Sequence, residues 1–152
     1  MKKKNFTLME LLTVLAIISI LAALTMGGVQ AVRRRATKAK AEAAIAALEV
    51  ALGMYYNDLG EYPGTVGSAV DCKVLVEALT CKDSKEDWDG PYIRFKEKEL
   101  KDCPASSDVC KKGCNYIDPW GNSYIYERIG DFYSILSKGP EKDDSSDDIS
   151  NK

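Results

Sequence analysis

Apolar positions form an unbroken block near the start of this chain and a narrow stripe after it. From Leu11 to Val32 there are 22 residues without a charge, preceded by Lys2-Lys3-Lys4-Asn5-Phe6-Thr7-Leu8-Met9-Glu10 and closed by Arg33-Arg34-Arg35. Wound as a helix, such a block spans roughly 33 Å, enough to cross the hydrocarbon of a bilayer. A single membrane anchor is the direct reading. A cleavable secretory leader is the alternative, but its apolar core is shorter and ends at small residues rather than at an arginine cluster. Beyond Ala36 the residues are good helix formers, and Ala41, Ile45, Leu48, Leu52, Tyr55 and Leu59 recur at steps of three and four, one stripe of an amphipathic helix. Lys38, Lys40, Glu42 and Glu49 fall off that stripe. Gly60 and Pro63 end it. With no proline from 6 to 57, a continuous helix there runs roughly 78 Å, with Gly27-Gly28 and Gly53 as soft points.

After the stripe the period changes. Residues 61–90 read as an irregular connection holding a short helix from Asp71 to Leu79. Strands are predicted at 91–95, 123–127 and 131–136, the last two alternating and rich in aromatic and β-branched residues. Ile129-Gly130-Asp131 is a tight hairpin connection between them. A small antiparallel sheet laid on the amphipathic half-helix buries both faces. The expected fold class is α+β: a long N-terminal helix, membrane-spanning and then amphipathic, packed on a small antiparallel β-sheet head. Its parts are a short lead-in at 1–5, a hydrophobic helix at 6–32, an amphipathic half-helix at 33–59 and a head at 60–152 that ends in an acidic loop.

Charge sharpens this division. Residues 1–57 carry a net +5 and residues 58–152 a net −7. An acidic main body lacks the broad basic face of a nucleic-acid binder. There is no histidine, which removes catalytic triads, zinc–histidine sites and histidine acid–base chemistry together. A membrane-tethered enzymatic or binding domain is disfavoured by the missing catalytic constellation and by a head of only about 90 residues. No enzyme activity is expected. Three basic residues flank the apolar block on each side, so charge alone does not orient it.

Three features carry chemistry. Glu10 lies at the start of the apolar run, where an ionised carboxylate deep in lipid costs about 3 kcal/mol. It either sits at headgroup level, favoured by the helix N-terminus, or is a buried charge that needs a cation from another copy of the chain. Cys72, Cys81, Cys103, Cys110 and Cys114 all follow the helix, and in an oxidising compartment they read as bridges. Cys72 with Cys81 would clip the short helix, two of the other three would staple residues 96–116, and one would be left over. A zinc site is the minor alternative, since Cys103, Cys110 and Cys114 have no standard ligand spacing. Finally, residues 141–148 hold five carboxylates. They form either a solvated acidic tail or a loop around a hard cation such as calcium, which takes typically six to eight oxygens. The spacing is not that of an EF-hand.

The stretch from Lys3-Lys4-Asn5 through Phe6-Thr7-Leu8-Met9-Glu10-Leu11-Leu12-Thr13-Val14 to Ile18 closely resembles the N-terminal signal of type IV pilins and pseudopilins. The resemblance implies that residues 1–5 are a leader, cut by a prepilin peptidase between Asn5 and Phe6, and that the new Phe6 amine is methylated. Where the family carries glycine before the cut bond, this chain carries Asn5. Glu10 would then pair with the Phe6 amine of a neighbouring subunit. In the head, Glu61-Tyr62-Pro63, Gly90-Pro91-Tyr92-Ile93, Asp118-Pro119-Trp120-Gly121-Asn122 and Tyr124 with Tyr126 resemble, in that order, the major pseudopilin family of type II secretion systems. Residues 96–116 are an insertion relative to that family. The Asp118–Asn122 stretch has its own local meaning, two turn-forming pairs with Trp120 available to plug the core.

The same resemblance extends to the acidic loop, where the family binds calcium. Carried over by position, Lys138 and Ser145 would offer backbone carbonyls and Glu141, Asp147 and Asp148 carboxylates, with Asp143 or Asp144 as substitutes. Glu141 stands where aspartate is usual. The bound ion would be structural, stiffening the surface that meets neighbouring subunits. The function implied is a structural subunit that polymerises into a secretion pseudopilus driving protein export across the outer membrane. Its partners would be copies of itself, minor pseudopilins, the prepilin peptidase and the inner-membrane assembly platform. It would reside in a bacterial inner membrane by a single pass, with the head in the periplasm. The alternative is a type IV pilin for adhesion, twitching motility or DNA uptake. Such pilins often end in a disulfide-closed loop, whereas here no cysteine follows Cys114 and the chain ends in Asp147-Asp148-Ile149 and three further residues.

Overall fold

The computed structural model describes residues 7–67, 69–82, 87–104 and 110–151, with backbone alone at 24–28 and 69–71. The chain divides into two compact units, one up to Thr37 and one from Lys38 onward. One helix, α1 (Leu8–Leu59), begins in the first unit and ends in the second. Its backbone stays helical through the glycines at 27, 28 and 53, because no proline interrupts it and alanine and leucine dominate. It stops at Gly60, whose φ of 71° is a conformation that glycine adopts without strain, while the Gly60 amide closes the last turn on the Tyr56 carbonyl at 2.8 Å.

In the first unit the described apolar side chains have nothing to cover them: every large one from Leu8 to Leu21 is exposed. The polar residues of that stretch fold back on the helix. Thr13 Oγ1 donates to the Met9 and Glu10 carbonyls, both at 3.0 Å, and Ser19 Oγ donates to the Leu15 carbonyl at 2.8 Å. That leaves the outer face hydrocarbon. Among the described residues, no helical stretch is long and apolar enough to cross a membrane.

The second unit is built on the predicted stripe. Ala41, Ile45, Leu48, Leu52 and Tyr55 are buried and Leu59 is half-buried, joined by Ala51. Their core partners come from α2 (Lys73–Thr80), β2 (Leu100–Lys101), β3 (Asn115–Tyr116), β4 (Ile125–Ile129), β5 (Phe132–Ser137) and β6 (Ile149–Ser150) and from the connections between them, while β1 (Ala69–Asp71) and the 3-10 turn Glu97–Glu99 complete the elements of the head. The main sheet is antiparallel, in the order β1-β4-β5-β6. β2 and β3 form a separate pair. In the central pairing Ile125 faces Leu136 and Ile129 faces Phe132, so Gly130 and Asp131 alone make the turn, as the tight hairpin reading requires. Leu48, Leu52, Leu75 and Leu79 are fully buried, sites where leucine-to-alanine replacement costs about 2–5 kcal/mol.

The remaining core is aromatic. Tyr116 stacks on Tyr124 at 4.9 Å and meets Phe95 at 4.7 Å, while Tyr133 bridges Tyr62 and Tyr126. Trp120 packs half-buried against the same core.

Several expectations need correction. Residues 91–95 form no strand. Pro91 has no amide to donate, and Tyr92, Ile93 and Phe95 pack against the core, the Tyr92 amide bonding the Leu79 carbonyl at 2.9 Å. The short helix starts at Lys73, not Asp71, because Asp71 is the last residue of β1 and pairs with Ile125. The strand expected at 123–127 is shifted to 125–129. Ser123 bridges Ile117, and the Tyr124 amide bonds the Tyr116 carbonyl at 3.0 Å before the chain joins the sheet. Nor is the acidic end a loose tail: it returns through β6, where Asn151 Oδ1 accepts from the Ile135 amide at 2.7 Å.

Cysteine pairing also differs. Cys81 bridges Cys110 and Cys103 bridges Cys114, while Cys72 is buried outside both bridges. Cys72 and Cys81 flank the two ends of α2. Nine helical steps separate them by roughly 13 Å, whereas a disulfide needs Cα atoms within about 7 Å. The segment 96–116, expected as an insertion, instead closes on itself through Cys103–Cys114 and β2–β3. It docks on α2 through Cys81–Cys110, the Lys111 amide on Thr80 Oγ1 at 3.2 Å and the Lys112–Glu77 ion pair at 3.2 Å.

Candidate functional site

Two regions carry the residues singled out in the sequence. The first is the start of α1. The Thr7 carbonyl accepts from the Glu10 and Leu11 amides at 3.1 and 3.3 Å, and Thr7 Oγ1 accepts from the Glu10 amide at 3.3 Å. Thr7 thus caps the helix, and Thr7-x-x-Glu10 is the sequence form of a capping box, a signal the sequence reading passed over. Glu10 stands exposed in the first turn, where helix dipole and carboxylate attract. Asn5 and Phe6, the expected cleavage and methylation positions, lie outside the described residues. An exposed carboxylate at the head of a helix with hydrocarbon on every side is a contact surface, not a solvent face: apolar patches beyond a few hundred Å² mark interaction sites.

The second region is the loop from Ser137 to Ile149. Gly139 turns it with a φ of 63°. The Asp144 amide bonds the Glu141 carbonyl at 3.1 Å, and the Ser146 amide bonds Asp144 Oδ1 at 2.9 Å, a bond that holds the exposed Asp144 carboxyl below its ordinary pKa. Of the five expected ligands, Glu141 and Asp147 are brought together, the Glu141 amide donating to Asp147 Oδ2 at 3.1 Å. Lys138 and Ser145 are exposed. Asp148 is half-buried and lines a cleft with Lys38, Glu42 and Glu49 of α1.

Asp147 Oδ1 is buried without any hydrogen-bond partner. An unsatisfied buried carboxylate oxygen is costly, and a cation relieves that cost. Among the described residues no three carboxylates or thiolates converge to hold a metal by side chains alone. The loop brings together two carboxylates, Glu141 and Asp147, among backbone carbonyls, and oxygen donors of that kind could hold only a hard cation.

Behind the loop lies a residue that sequence reasoning treated only as part of a turn. Asp118 is 3% exposed. Its Oδ1 accepts from the Trp120 and Asn122 amides at 3.0 and 2.8 Å, and its Oδ2 accepts from Ser137 Oγ at 2.7 Å. The usable signal was an aspartate opening a turn, whose side chain bonds the backbone two residues on.

A helix that is hydrocarbon all round at its start and amphipathic at its end, leading into a small antiparallel head, defines a pilin-like subunit. Comparison with known proteins narrows the class. The model of the prokaryotic N-terminal methylation motif matches residues 2–26, and that of type II secretion system (T2SS), protein G matches residues 29–109. The type II secretion system core protein G of Escherichia coli K12 is 35% identical, over 99% of this chain and 91% of that protein. Those of Pseudomonas aeruginosa and Klebsiella michiganensis are 31% and 38% identical, over 99% and 96% of this chain and 95% and 89% of theirs. No solved structure matches the chain. The chain belongs to the type II secretion system protein G family.

Proposed function

We propose that this chain is a structural subunit that polymerises into a type II secretion pseudopilus, the filament that drives protein export across the outer membrane. The observation that carries the reading is the exposed hydrocarbon surface of α1 from Leu8 to Leu21, opened by the charged Glu10. Such a surface requires lipid before assembly and sister helices after it. Before assembly the block from Leu11 to Val32 rests in the inner membrane, with the head in the periplasm. A prepilin peptidase removes residues 1–5, and the Phe6 amine is methylated. Glu10 then meets the Phe6 amine of the next copy, and that pair sets the register of the filament, built with an inner-membrane assembly platform and minor pseudopilins. The role is structural rather than catalytic.

Calcium belongs to the same proposal. Of the five expected ligands, the Lys138 and Ser145 carbonyls with Glu141 and Asp147 would hold it, Asp148 facing the cleft with Lys38, Glu42 and Glu49 instead, and the partnerless Asp147 Oδ1 supports this assignment. The ion would supply charge neutralisation, while the chain's own bonds, Glu141 amide to Asp147 and Ser146 amide to Asp144, shape the loop.

The test is Glu10→Ala in cells that carry the assembly machinery. The variant is expected in the membrane fraction at the normal amount with no filament recovered by shearing. An unchanged filament yield would overturn the charge-pair account.

A further inference from the structure

The loop from Gly139 to Asp147 is not held by its own residues alone. Ser137 is fully buried, and its hydroxyl does two things at once: it donates to Asp118 Oδ2 at 2.7 Å and accepts from the Gly139 amide at 3.3 Å. The Gly139 carbonyl is taken by Asn122 Nδ2 at 2.8 Å, and the Asn122 amide is itself fixed by Asp118 Oδ1 at 2.8 Å. Both backbone polar groups of Gly139 therefore lead back to one carboxylate 21 residues earlier in the chain. Gly139 in turn lies against Asp147: a Cβ on it would come within 2.7 Å of the Asp147 carbonyl oxygen and 2.8 Å of Asp147 Oδ2. The far end of the loop has a separate anchor in β6, where Leu136 pairs with Ser150 and Ser137 with Ile149.

We propose that Asp118 is a positioning residue for the cation loop: through Ser137 and Asn122 it fixes Gly139, and through Gly139 it fixes Asp147, before any ion is bound. Three donors on one buried carboxylate make it a rigid hub, since charge-assisted bonds are stronger than neutral ones. A loop already ordered pays less entropy when it takes up a ligand. Affinity for the ion is then set in part by a residue that never touches it. The affinity consequence rests on the calcium reading above; the ordering consequence does not.

The experiment uses the full chain in detergent micelles, wild type beside Asp118→Asn, Ser137→Ala and Ser137→Thr. Asp118→Asn keeps an acceptor for the turn amides and removes the oxygen that accepts from Ser137. Ser137→Ala cuts the relay and leaves the hub, and Ser137→Thr restores the hydroxyl. Amide hydrogen exchange is read without metal, and calcium alone is titrated by calorimetry. Asp118→Asn and Ser137→Ala are expected to speed exchange at Gly139 and across 141–147 while 125–129 in β4 stays protected. They are also expected to weaken calcium binding about tenfold, with Ser137→Thr near wild type. If the wild type takes up no calcium but Gly139 exchange still accelerates in both variants, the positioning role stands and the calcium reading falls. Unchanged Gly139 exchange overturns the proposal whatever calcium does, as does acceleration spread evenly through the head.

Discussion

Gly139 and Gly130 share a positive φ, 63° and 64°, and have opposite surroundings. An added Cβ meets nothing within 4 Å at Gly130, in the β4–β5 turn, but collides with the carbonyl and side chain of Asp147 at Gly139. The pair separates the cost of conformation from the cost of contact. Gly130→Ala is expected to lose about 1 kcal/mol, the left-handed strain of a non-glycine residue. Gly139→Ala carries that strain and must also push the loop off Asp147, so a loss of about 2–3 kcal/mol is expected. Urea unfolding of the full chain in micelles measures both, and equal losses would show that Gly139 and Asp147 are not in register. At this scale the sequence is only half legible. Ser137-x-Gly139 announces a turn by composition, and Asp118-Pro119 announces another. Nothing local says that the two turns share a carboxylate, because the Asp118–Ser137 bond joins residues 19 apart that only the sheet brings together.

Among elements, the segment 96–116, read from the sequence as an insertion, is the one that depends most on covalent ties. Cys103–Cys114 closes a sequence separation of 11 and Cys81–Cys110 one of 29. Loop-closure entropy gives roughly 3 kcal/mol for the shorter loop and roughly 3.5 kcal/mol for the longer. The longer bridge also holds the insertion on α2 beside the bond from Lys111 to Thr80. Replacing Cys81 and Cys110 by serine is therefore expected to lower the head's stability more than replacing Cys103 and Cys114, with thermal unfolding by circular dichroism as the readout. The reverse order would mean that the insertion gains its stability from its own closure.

Legibility at this scale follows element length. α1, β4 and β5 run long enough for their periods of 3.6 and 2 to be read, and the buried stripe from Ala41 to Tyr55 came out residue by residue. β1, β2, β3 and β6 have two or three residues each, too few for any period. Residues 91–95 show the converse failure: aromatic and β-branched residues mimic a strand, but they serve the core directly. The cysteine pairing was illegible because it depends on which end of α2 faces the insertion.

On the scale of the whole molecule, the tyrosines divide the chain into a part that senses alkali and a part that does not. All eight lie at or beyond Tyr55, so α1 before that point contains none. Burial pushes Tyr116 up from 10.0 to about 12, with Glu99 adding to it. Burial raises Tyr124 and Tyr126 further still, and Tyr133 in the same direction. Tyr92 reaches about 12 through desolvation and the bond it donates to Asp58, but it stands nearer the solvent and contributes less.

A phenol whose folded pKa is raised stabilises the fold fully below its unfolded value and loses that contribution as pH climbs through the folded value. The head should thus be stable up to about pH 10 and unfold between about 10 and 12, each strongly buried phenol withdrawing on the order of 2–3 kcal/mol. Tyrosinate absorbance and the near-ultraviolet signal of the head are expected to change together over that window, while helical circular dichroism from the part of α1 in the first unit, up to Thr37, persists in micelles. Tyr124 allows the cause to be isolated. Its hydroxyl is buried with no partner, so Tyr124→Phe removes an unsatisfied group and a late-titrating one in a single step. The variant is expected to be more stable at neutral pH by about 1 kcal/mol and to unfold at a higher pH than wild type. A variant less stable at neutral pH would show that the hydroxyl has found a hydrogen-bond partner, and an unmoved alkaline midpoint would take the tyrosine core out of the explanation.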